Sequence, residues 1–179
     1  MLTSPSVRVR RIACAIGAWL AFVIAAPAAA QTLPPPVHTA NLAGPRFGIT
    51  LLSQGLVDTL ADRGVEVRPY ITQFGWQFER QFFTRDSGVT MVTEWVALMG
   101  GLDQGVALPS VSWLVGVRGR DGAEFGLGPN VTPAGVAIVF AAGMTFRTRA
   151  FNVPVNVAVV PSKSGTRVSI MTGFSLRKR

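Results

Sequence analysis

Three observations predict an all-β fold, an eight-stranded antiparallel up-and-down β-barrel with one short helix or long loop between its first two strands. Polar and apolar residues alternate through most of the chain, the alternating segments mostly run about ten residues, and short turn sequences separate them. No apolar run after residue 30 reaches the length of a membrane-spanning helix.

The first thirty residues stand apart. Arg8, Arg10 and Arg11 precede an apolar run over 12–26, Pro27 breaks it, and Ala28-Ala29-Ala30 stands before Gln31. That order reads as a secretory signal peptide over 1–30, the run being short for a spanning helix. Cys14, the single cysteine, lies at the start of the run, whereas a lipid-bearing cysteine would follow it. Residues 31–44 read as a Pro-rich linker holding Pro34-Pro35-Pro36 and the single histidine, His38, and 45–179 as the barrel domain. Removing 1–30 leaves about 149 residues, enough for one domain, and takes the formal charge from +8 to about +5.

Each strand follows from its pattern. The first is expected at 46–53 and the short helix at 55–63, where Leu56, Val57 and Leu60 share a face. The second, 68–84, contains ITQFGWQFERQFF: Phe74, Trp76, Phe78 and Phe82 fall on one face, and Gln73, Gly75, Gln77, Glu79 and Gln81 on the other. The rest are expected at 89–100, 110–119, 123–131, 136–147, 151–160 and 166–177. Turn signals lie between them at Asp86-Ser87-Gly88, Asp121-Gly122, Thr132-Pro133-Ala134-Gly135 and Pro161-Ser162-Lys163-Ser164-Gly165. Val111, Trp113, Val115 and Val117 alternate with Ser110, Ser112, Gly116 and Arg118, and Val153, Val155, Val157 and Val159 with Asn152, Asn156 and Ala158. Two segments fit less simply: 136–147 is apolar on both faces, and Pro154 forfeits a ladder bond, which favours a bulge or an edge.

The second face is too polar and too rich in glycine for a hydrophobic core, so the apolar faces are expected to point outward to outer-membrane lipid. Phe74, Trp76, Phe78, Trp95 and Trp113 are then the expected lipid-facing aromatics. Glu79, Glu94, Arg118, Glu124 and Arg147 become an interior polar belt. Pairing Arg85 with Gly88 across a tight turn sets Glu79 opposite Glu94 and Phe78 opposite Trp95. A three-residue loop at Arg120-Asp121-Gly122 sets Arg118 opposite Glu124. A third connection centred near Val106 sets Glu94 beside Arg118. Two opposed carboxylates without compensation are destabilising, so Arg118 is expected as their counter-ion. The expected role of the belt is structural, filling a narrow barrel with side chains.

These features exclude function classes. The scattered basic residues make no nucleic-acid patch. With no cysteine after residue 30 and His38 alone in the linker, no nucleophile–base pair is available, so no enzyme activity and no cofactor or metal is expected. The alternative class is a soluble periplasmic or secreted lipocalin-like barrel that binds an apolar ligand or lipid. It requires Phe74, Trp76 and Phe78 to face inward.

From Pro45 onward the chain resembles the small eight-stranded outer-membrane β-barrels of Gram-negative bacteria. The segments GPRFGIT, QFGWQFE, LPSVSWLVGVR, EFGLGPN and NVPVNVAVVPS resemble, more narrowly, an uncharacterised group of secreted barrel-like bacterial proteins. The broader class implies a last strand ending in an aromatic insertion signal, whereas here Phe174 and Leu176 are followed by Arg177-Lys178-Arg179. The expected topology places both termini and the turns near 86, 121 and 150 in the periplasm. The connections 54–67, 101–109, 132–135 and 161–165 then lie outside the cell, in a structural or surface-interaction role.

Overall fold

The computed structural model describes residues 41–85, 87–148 and 150–176. The expected signal peptide, most of the linker with His38, and Arg177 to Arg179 lie outside the described residues. The chain forms β1 (Gly44–Leu52), the helix α1 (Gln54–Ala61), β2 (Tyr70–Thr84), β3 (Thr90–Gly100), β4 (Leu108–Arg118), β5 (Ala123–Thr132), β6 (Gly135–Arg147), β7 (Phe151–Ser162), β8 (Gly165–Gly173) and β9 (Ser175–Leu176). Each of the first eight strands pairs antiparallel with its neighbours in sequence, and β1 pairs with β8, so the sheet closes into a barrel. Strand β9 continues β8 beyond Phe174 and pairs with the same neighbour, β7, in the same register. The ladder lapses over two positions, where Pro154, which has no N–H to give, faces Gly173 and Val153 faces Phe174. Pro154 therefore interrupts the pairing without the bulge or edge expected of it.

The one register shift falls between Gln81 and Phe83, where β2 meets β3. A residue inserted there turns both Phe82 and Phe83 outward, and both are exposed. The turn beyond it closes with Arg85 N–H donating to the Val89 carbonyl, one residue later than the expected Arg85–Gly88 pair. At the same end, Gly122 takes φ 93°, the left-handed conformation its hairpin requires.

At the opposite end α1 lies over the barrel mouth. Leu56 and Leu60 pack with Leu52 and Ile71, and Val57, Val65, Val67, Leu108 and Ala134 surround them. The connection between β3 and β4 turns on Gly101 and Gly105, at φ 80° and 75°. It is tied down by Gln104, whose side-chain amide donates to the Tyr70 carbonyl, and by Thr72, whose hydroxyl donates to Asp103 at 2.5 Å. That hydroxyl holds the Asp103 carboxyl below the usual carboxylate range. The contact's contribution is present above the unfolded carboxyl's pKa and fades as the pH falls through the folded one.

The interior has two layers. Between the helix end and the middle, Leu114, Val139 and Val160 form an apolar cluster with Val96, Ala137, Ala141 and Ala158. This accounts for β6 being apolar on both faces: its inward Ala137, Val139 and Ala141 fill that layer. Toward the other end the interior is charged.

Close backbone approach explains one glycine. A Cβ on inward-facing Gly128 would lie 1.8 Å from the Trp113 carbonyl oxygen, on the neighbouring strand. Two residues away, a Cβ on Gly126 would meet nothing closer than 3.6 Å. Gly128→Ala is expected to cost about 1–3 kcal/mol, as an overpacked site does, and Gly126→Ala to be nearly neutral. Urea midpoints of the two variants check this; equal midpoints would contradict it.

Candidate functional site

Alternation places the charges. In β2 the outward run from Phe74 to Phe78 turns Gln77 and Glu79 inward, and in β4 the outward Trp113, Val115 and Val117 turn Arg118 inward. Glu94 of β3 and Glu124 of β5 face inward by the same rule. The pairings set Glu79 opposite Glu94 and Arg118 opposite Glu124.

Arg118 is 1% exposed and sits at the centre of the three carboxylates. It grips Glu79 with two parallel bonds, Nη1 to Oε1 at 2.8 Å and Nη2 to Oε2 at 2.6 Å. Its Nε donates to Glu124 Oε2 at 2.7 Å, and Nη2 reaches Glu94 Oε1 at 3.3 Å. Charge-assisted, fork-shaped contacts of this kind are the strong class of hydrogen bond. Asn156 of β7 donates to the other Glu124 oxygen at 2.8 Å, and Gln81 to Glu79 at 3.1 Å. A second buried guanidinium, Arg46 of β1, donates to Gln77 Oε1 at 2.9 Å and to the Leu42 and Pro45 carbonyls. Leu42 is fully buried at that end.

Glu94 is not opposite Arg118, as a connection centred near Val106 would have it. Its partner is Leu114, and Arg118 faces Thr90, because the connection centres two residues earlier, near Gln104. The contact still forms. Strands in a barrel are tilted, so side chains level with one another are offset along the ladder, and the long arginine spans the offset. Arg147 is not in the belt. It lies at the last position of β6, exposed at the rim and paired with Asn152, beyond the reach of the enclosed charges. Asn156 stands in the interior, as the polar face of its strand implies, and so does Arg46.

Among the described residues no group of three His, Cys, Asp or Glu side chains is arranged to hold a metal ion. The guanidinium of Arg118 occupies the point on which Glu79, Glu94 and Glu124 converge. The arrangement crosslinks β2, β3, β4 and β5 from within.

Above the belt a cavity of about 90 Å³ is bordered by Glu94, Gln77, Asn156, Asn130 and Arg167. Asn130 donates to the Ser110 and Ser112 hydroxyls at 2.9 and 2.8 Å and accepts from Arg167 Nη2 at 2.8 Å. Arg46, Gln77 and Arg167 carry more of the interior than composition suggests. Their signal is parity alone: Arg46 precedes Phe47, Ile49 and Leu51, and Arg167 precedes Val168 and Ile170.

The outer wall is the reverse. Phe74, Trp76 and Phe78 are 55%, 47% and 57% exposed, so the orientation that a lipocalin-like ligand cavity requires is not the one adopted. Trp95 and Trp113 stack across β3 and β4 with centroids 5.8 Å apart at 19°. Among the described outward positions of the strands, Arg80 is the only charged residue. Comparison with family models, with curated proteins and with solved structures gave no match.

Proposed function

We propose that this chain is an outer-membrane β-barrel with a non-enzymatic role, structural or in surface interaction, held rigid by its interior belt. The observation that carries the reading is the inverted wall, apolar and aromatic around the circumference, with Glu79, Glu94, Glu124, Arg118 and Arg46 enclosed. Soluble monomers seldom expose a contiguous apolar patch beyond a few hundred Å². The polar atoms on that wall support the same reading. Thr72 donates to Asp103, Thr93 to the Leu114 carbonyl and Thr172 to the Pro154 carbonyl, while the Trp113 indole N–H donates to Thr93. Outward hydroxyls satisfied within the protein suit a surrounding that offers no water.

The asymmetry of the ends supports a topology. The β2–β3, β4–β5 and β6–β7 connections are short and share their end with residues 41–44 and 174–176, while α1 and the 101–107 connection lie at the other end. Outer-membrane barrels keep short turns in the periplasm and longer loops outside. The α1 end is then the one available to partners. Arg80, a few residues from the short-turn end, snorkels to the lipid–water boundary. The test is fractionation of cells expressing the full chain. Recovery in the detergent-extracted outer membrane with a heat-modifiable gel shift is expected; recovery in osmotic-shock fluid would overturn the reading.

A further inference from the structure

We propose that the cleft between α1 and the hairpins β5–β6 and β7–β8 is an oxyanion site for a phosphate group carried on an amphiphile or free in solution. The cleft measures about 680 Å³, within the range of small-molecule sites, and opens at the helix end of the barrel. Its charged lining residues are both cations, Arg167 and Lys163. Arg167 points in from β8 and borders this cleft, the space beneath α1 and the interior cavity alike. It therefore forms the floor at which the opening meets the interior.

The guanidinium is set for an anion that the fold does not supply. Its Nη1 donates to Thr132 Oγ1 at 3.1 Å and its Nη2 to Asn130 Oδ1 at 2.8 Å, both neutral acceptors. Among the described residues it has no ion pair, whereas Arg118 has three. Two of its five N–H groups are used in this way, fixing its plane and leaving donors for a ligand. A half-buried arginine held by neutral groups is preorganised for a bidentate oxyanion. Lys163, exposed on the β7–β8 turn, brings a second charge, and Ser164 follows it on the lining. Leu56, Ala134 and Val136 give the same cleft an apolar wall, which suits a phosphate attached to an apolar body. The inference stands on these contacts and does not depend on the barrel lying in a membrane.

The test uses the folded full chain in neutral dodecyl maltoside micelles, with the fold of every variant checked by circular dichroism. It is titrated by calorimetry with inorganic phosphate and, separately, with phosphatidic acid or diacylglycerol mixed into the micelles. Saturable binding of inorganic phosphate, at least tenfold weaker in Lys163→Gln and in Arg167→Gln, supports the site and assigns it to the free ion. Binding of phosphatidic acid without binding of free phosphate or diacylglycerol, with the same losses, supports it and assigns it to a lipid headgroup. Lys163→Gln removes no hydrogen bond from the interior, so its effect is readable even where Arg167→Gln disturbs folding. The proposal is overturned if neither probe binds, if diacylglycerol binds as well as phosphatidic acid, or if both variants bind like the parent. It is equally overturned if Arg68→Gln, a cation at the same end outside the cleft, weakens binding as much.

Discussion

Arg118→Ala is expected to lower the free energy of unfolding by about 3–5 kcal/mol, the cost of leaving buried charge without its partner. The size follows from what would remain. Glu79, Glu94 and Glu124 are 8%, 6% and 5% exposed and are joined through this one side chain. Without it, three carboxylates face one another across a narrow lumen, and the guanidinium of Arg46 is already committed to Gln77 and two carbonyls. Glu79→Gln removes the most tightly held carboxylate but also one of three negative charges, and keeps an oxygen for Arg118. It is expected to cost about 1 kcal/mol, near the net worth of a single hydrogen bond. Urea midpoints of the two variants in one detergent give the comparison. Negligible and equal effects would mean that the belt does not hold the four strands together.

The belt also shows what the sequence made readable. A turn one residue too short still sets Glu79 opposite Glu94, because the inserted residue near Phe82 compensates for it. Two local irregularities cancelled. A bulge carries no alternation signal when both residues it turns outward are phenylalanine. The hairpin at 119–122 was legible outright, since Asp121-Gly122 needs a left-handed glycine and so pairs Arg118 with Glu124. Arg147 shows the limit of parity. It tells which face a residue takes but not how deep in the barrel that residue lies, and at the end of β6 the inward face is already open to solvent. The cleft at the helix end was not legible at all. Its walls come from α1 and two hairpins far apart in sequence, brought together only by closure of the barrel and by the docking of Leu56 and Leu60.

Leu127→Arg is expected to cost about 2–4 kcal/mol when folding is measured into phospholipid vesicles, as a cation does near the midplane of a bilayer-spanning barrel. Leu127 lies midway along β5, 57% exposed on the outer wall, paired with Val115 on one side and Phe140 on the other. No carboxylate shares that face among the described residues, so the new guanidinium would have only hydrocarbon around it if the wall meets lipid. Thr166→Arg provides the comparison: it is outward and exposed at the helix-end rim of the same barrel, where a cation costs about 0–1 kcal/mol. On a wall facing water both substitutions would fall within about 0.5 kcal/mol of the parent, as exposed substitutions generally do. The difference between the two positions thus isolates depth from the chemistry of arginine itself. A large loss at Leu127 with none at Thr166 requires an apolar medium around the middle of the barrel, and equal small losses would remove lipid as the partner of the aromatic wall.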